Sequence, residues 1–108
     1  MNVDLTRKQC IPCRGMPPLS AADIDRLSME LGGDWHVVES HHLEKCWKFK
    51  NFREALDFTN RVGELAECEE HHPDVFLAWG KVKLTLYTHK IDGLTENDFI
   101  LAAKIEEL

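Results

Sequence analysis

No run of apolar residues in this chain approaches the roughly 20 needed to cross a bilayer as a helix, and the first ten residues, MNVDLTRKQC, lack the apolar stretch of a secretory signal. A cytoplasmic location with no membrane association is expected. Positive charge is also short. The 13 lysines and arginines are outnumbered by 19 aspartates and glutamates, a net charge of -6, and Glu64, Glu67, Glu69 and Glu70 stand close together. Such a surface repels a phosphate backbone, so no direct nucleic-acid binding is expected. Cysteine is scarce: of the 4 in the chain, only Cys10 and Cys13 are near each other, in CIPC. A structural zinc site normally needs a second ligand pair at finger-like spacing, and Cys46 and Cys68 stand alone. Reduced thiols are therefore expected rather than a metal knuckle or a disulfide framework.

What is present suits one folded unit. At 108 residues, 44% hydrophobic and 30% charged, the chain can bury one core and is too short for two. Residues 1–18, broken by Gly15, Pro17 and Pro18, read as an extended N-terminal arm, and residues 19–108 as a single domain. Ser20 with Asp23 opens a helix carried by Ala21, Ile24, Leu27 and Leu31 until Gly32-Gly33 stops it. DWHVVE (34–39) and LEKCWKF (43–49), parted by SHH, read as a hairpin, with Trp35 and Trp47 in or beside the core. From Phe52 the period becomes 3.6, with Phe52, Ala55, Thr59, Val62 and Ala66 on one stripe, and the helix should reach about Glu69. VFLAW, a turn at Gly80 and KVKLTLYT make a second hairpin whose Val82, Leu84 and Leu86 face the core. Thr95 and Asp98 then cap a last helix whose Leu101, Ile105 and Leu108 point inward. The order αββαββα predicts an α+β fold, a four-stranded antiparallel sheet with three helices on one face.

The stretch ECEEHHPD holds the chemistry. Glu67 and His71 are related as i and i+4, so on a continuous helix the carboxylate would orient the His71 ring. Pro73 excludes helical geometry for the residue before it, so His72 must point elsewhere. Adjacent imidazoles in different surroundings suit paired acid and base work. His89, at the end of the last strand, avoids the core face by parity. A second pair, His41-His42, falls between strands with no proline after it and reads as turn residues. Three histidines also admit a zinc site, but adjacent residues rarely aim at one metal, and no metal is expected.

The run Glu67, three residues, His71-His72-Pro73, five residues, Trp79, nine residues, His89, eight residues, Asp98 resembles the signature of the pterin-4a-carbinolamine dehydratases. The similarity extends from about Leu19 to Leu108 and includes WKFKNFREALDFTNRV, while CIPCRG and PPL resemble the leader of bacterial members. The resemblance implies an antiparallel four-stranded sheet with three helices and the removal of water from 4a-hydroxytetrahydropterin to give quinonoid dihydropterin, without a metal or redox cofactor. It implies that His71, His72 and His89 line one pocket as general acid and base. Glu67 and Asp98 would support them. Pro73, Thr88, Lys90 and Ile91 would lie with these histidines in the substrate-contacting segments, and Trp35 would wall the pocket. It further implies a homodimer or homotetramer and a link to an aromatic amino acid hydroxylase. The alternative on the same fold is a non-catalytic binding, assembly or dimerisation cofactor.

Overall fold

A computed structural model of the chain describes residues 3–10 and 17–108. Eight elements follow in order: α1 (Val3–Arg7), α2 (Ala21–Leu31), β1 (His36–Val38), β2 (His42–Lys48), α3 (Phe52–Glu69), β3 (Asp74–Ala78), β4 (Lys81–Leu86) and α4 (Glu96–Ile105). From residue 19 onward this is the expected αββαββα. The strands form one antiparallel sheet in the order β1-β2-β4-β3, so β4 lies in the middle and carries the core-facing Val82, Leu84 and Leu86. Phe49 donates its N–H to the Gly80 carbonyl at 2.8 Å. Gly80 turns β3 into β4 at φ 68°, where a Cβ would meet the Phe49 carbonyl oxygen at 2.9 Å, so only glycine fits that turn without strain.

Local chemistry sets the helix limits. The Ser20 side chain accepts from the Asp23 N–H at 3.2 Å to start α2, and the Asn51 side chain accepts from the Glu54 N–H at 2.9 Å to start α3. The buried stripe of α3 is Ala55, Phe58, Val62 and Ala66. Phe58 rather than Phe52 fills the core, packing on Trp47 and Phe49, while Phe52 in the first turn of α3 is exposed. In α4 almost every side chain from Asn97 to Ile105 is buried: this helix is covered on several sides, and Leu101 and Ile105 point inward as expected while Leu108, beyond its end, is exposed.

The arm expected over residues 1–18 is not simply extended. Val3–Arg7 is helical, and Leu5, 1% exposed, belongs to the core cluster that includes Phe99, Leu101 and Ile105. Five residues are too few to hold a helix in water on their own; docking of Leu5 supplies what propensity does not. Cys13 and Gly15 lie outside the described residues. Cys10, Cys46 and Cys68 are thiols without a disulfide. Among the described residues, no helix is long and apolar enough to cross a membrane.

Candidate functional site

Helix α3 ends sharply. Glu70 takes a left-handed conformation at φ 54° and ψ 35°, and its N–H reaches the carbonyls of Ala66 and Glu67. His71 then donates its backbone N–H to the Ala66 carbonyl at 3.2 Å, a closure typical of helix C-termini. The chain has already turned at this point, so His71 does not occupy the helical position four residues after Glu67. Its ring is instead buried against α4, with Nε2 2.6 Å from Asp98 Oδ1. Glu67 pairs with the Nε2 of His72, on the exposed side of the turn. The expected pairing of Glu67 with His71 is thus corrected, and the carboxylate that orients His71 is Asp98.

Asp98 is fully buried, and each of its oxygens is used. Oδ1 faces His71, while Oδ2 accepts from the Thr95 N–H at 2.9 Å and from the Thr88 hydroxyl at 2.9 Å. The capping role read from the sequence is therefore real, and the same side chain has a second one. A buried carboxylate is tolerated when donors surround it. Thr88 also shares a hydroxyl contact with Thr95 at 2.9 Å. Because the carboxylate accepts, the His71 proton sits on Nε2 when the ring is neutral, leaving Nδ1 as the atom that can take a proton.

Thr88 is the residue before His89, so one carboxylate gathers the two segments that carry histidines. A second link runs beside it: His89 Nε2 lies 3.3 Å from Oδ1 of Asp74, the residue after Pro73. The His89 and His72 side chains are each at least half exposed, whereas that of His71 is about one-tenth exposed. The loop from Thr88 to Gly93 closes on itself, with the Thr88 N–H donating to the Gly93 carbonyl at 2.9 Å and the Ile91 and Asp92 N–H groups donating to the Thr88 carbonyl at 3.1 and 2.9 Å. Lys90 is exposed and Ile91 half-buried on this loop, and Pro73, the residue before Asp74, is half-buried.

Trp35 lies elsewhere. Its indole N–H donates to Glu106 at 2.8 Å and its ring meets Trp47 edge-on at 5.5 Å. Glu106 is eight residues beyond Asp98, about 12 Å of helix rise away. The structure therefore does not bring Trp35 to the histidines. It does bring His41 and His42, which the sequence marked as turn residues: His42 opens β2, His41 packs on Tyr87 at 4.8 Å and pairs with Asp92 at 2.7 Å, and Tyr87 packs on His89 at 4.3 Å. No local signal announces these contacts, since partners such as His41 and Asp92 are 51 residues apart.

A family model described as Pterin 4 alpha carbinolamine dehydratase matches residues 17–108. A protein of Rubrobacter xylanophilus, provisionally named pterin-4-alpha-carbinolamine dehydratase, is 55% identical over 106 residues, covering 97% of this chain and 98% of the relative. The crystal structure of a transcriptional coactivator/pterin dehydratase from Brucella melitensis is similar at a TM-score of 0.76 and 32% identity, over 83% of this chain and 96% of that one. A pterin dehydratase-like protein identified as a RuBisCO assembly factor in the alpha-carboxysome shares the fold at a TM-score of 0.60 and 19% identity, over 71% of this chain and 90% of that one.

Proposed function

The chain belongs to the pterin-4a-carbinolamine dehydratase family, and on that premise we propose that it dehydrates 4a-hydroxytetrahydropterin to quinonoid dihydropterin by histidine general acid and base catalysis. In this reaction the C4a–O bond breaks, a proton is delivered to the departing oxygen, and the N5 proton is removed as the N5 lone pair forms the new double bond. Nothing is oxidised, so two placed proton carriers suffice.

The observation that supports this reading most is the buried contact between His71 and Asp98, joined through Thr88 to the segment of His89. A fixed tautomer whose second ring nitrogen is left as an acceptor is what a proton carrier needs. His71 and His89 make the proton transfers, and His72 positions the hydroxyl-bearing ring. The backbone of His71 to Pro73 and of Thr88 to Ile91 offers N–H and C=O groups to the donors and acceptors of the pterin. The same reading places the protein in the cytoplasm as a homo-oligomer that recycles tetrahydropterin beside an aromatic amino acid hydroxylase.

The test is the decay of carbinolamine, generated chemically or enzymatically and followed by absorbance. Purified protein is expected to accelerate it over buffer, and His71→Ala and His89→Ala to lower turnover by roughly 10²- to 10⁴-fold. No acceleration by the wild-type chain would sink the enzyme reading in favour of a binding or assembly role. Wild-type rates in both variants would mean that other groups carry the protons.

A further inference from the structure

The described N-terminal segment runs ahead of residue 17, where the family match begins, yet it is built into the molecule at three points. Leu5 is in the core. Lys8 pairs with Glu96, in the first turn of α4, at 2.7 Å. Cys10 donates its backbone N–H to Glu69 Oε1 at 3.0 Å, and its thiol lies 3.6 Å from the Asn97 carbonyl. Glu69 in turn accepts from Lys104 at 2.7 Å through its other oxygen.

The places touched are informative. Glu69 is the last residue of α3 and stands two residues before His71; Asn97 stands one residue before Asp98. Cys10 therefore bridges the two backbone segments whose side chains form the buried His71–Asp98 contact. We infer that residues 5–10 are a strap that holds these two segments at a fixed separation, with Cys10 and Glu69 as positioning residues for the His71–Asp98 pair. The catalytic consequence rests on the dehydratase reading; the positioning itself does not.

The chemistry of the strap fits a permanent contact rather than a reactive one. Burial, and then the neighbouring Glu69 carboxylate, push the Cys10 thiol up to about 12, so the sulfur stays protonated and a poor nucleophile. Burial by itself would raise the Glu69 carboxyl, but the hydrogen bonds from the Cys10 amide and the Lys104 ammonium outweigh it and hold the group below its ordinary value. Position matters at this site because a displacement of about 1 Å in a catalytic arrangement can cost on the order of 10²-fold in rate.

Full-length Cys10→Pro, which removes the donating N–H, and Glu69→Ala, which removes its acceptor, test the strap separately. NMR follows solvent exchange of the His71 Nε2–H, a readout that needs no turnover, and steady-state kinetics follow the carbinolamine. Both variants are expected to speed that exchange at least about tenfold and to lower kcat by about tenfold with KM little changed. Glu69→Gln, which keeps an oxygen for the Cys10 amide, is expected to recover most of both. Exchange and kcat equal to wild type in Cys10→Pro and Glu69→Ala, with only the melting temperature lowered, would make the segment a brace for the core and overturn the proposal. If wild-type protein has no dehydratase activity, the dehydratase reading falls and the exchange rates alone decide the strap.

Discussion

Asp98 is the side chain on which the candidate site turns, because its two oxygens face different obligations. Oδ2 closes the start of α4 through Thr95 and holds Thr88, while Oδ1 holds His71. Asp98→Asn keeps the size but replaces one acceptor by an N–H₂ donor. If that donor faces His71, the ring must accept at Nε2 and carry its proton on Nδ1, the wrong tautomer for taking one up. If it faces Thr95 and Thr88, two donors meet a third. We expect a fall in kcat of roughly 10²- to 10⁴-fold and a stability loss of about 1–3 kcal/mol, measured by carbinolamine kinetics and urea unfolding. Glu67→Gln acts on an exposed pair with His72, where water and salt screen the charge, and should change kcat less than about tenfold. Equal losses in the two variants would show that His72 shares the proton work. Residue spacing displayed Asp98 as a cap, and only the family resemblance made it a support for the histidines, since a partner 27 residues away leaves no local trace. It displayed Glu67 as the partner of His71 because i,i+4 spacing presumes a helix that continues, and α3 does not.

What stops α3 belongs to the scale of the element. Glu70 occupies a left-handed position that most side chains adopt at a cost of about 1–2 kcal/mol and glycine adopts freely. Its side chain is exposed, so Glu70→Gly gives up little packing. The variant is expected to be more stable by about 1 kcal/mol in urea unfolding, with kcat unchanged because the turn that presents His71 is preserved. A loss of stability would mean that the Glu70 carboxylate makes a favourable interaction that outweighs the strain. Elements with strong periodicity and caps are legible in the sequence: α2 from Ser20, α3 from its stripe and Pro73, β4 from the alternation of Val82, Leu84 and Leu86. α1 is not, since five residues carry no period and owe their helix to the seat of Leu5 in the core. The placement of β4 between β2 and β3 is not legible either, because strand order depends on which hairpins meet and not on either hairpin alone.

At the scale of the whole molecule the sheet has two open edges, β1 and β3. β1 is only 3 residues long, a short edge that offers a partner little. β3 is longer, at 5 residues, and Val75 and Phe76 on it, with Trp79 just after it, are the exposed apolar side chains of this edge. Asp74, whose carboxylate meets His89, begins the same strand, so an edge held by a second copy would steady the candidate site as well as cover apolar surface. The homo-oligomer proposed above is therefore expected to form through β3. Sedimentation at tens of micromolar should give the mass of a dimer or tetramer for the wild-type chain. Val75→Lys with Phe76→Lys, which sets like charges across such a pairing, should shift it toward monomer. The charged variant should also lose kcat, because the strand that carries Asp74 would no longer be paired on its outer side. A wild-type monomer, or a charged variant that keeps the wild-type mass, would move the association to another surface and leave β3 as an edge beside Lys81, whose ammonium lies 5.8 Å from the centre of the Phe76 ring.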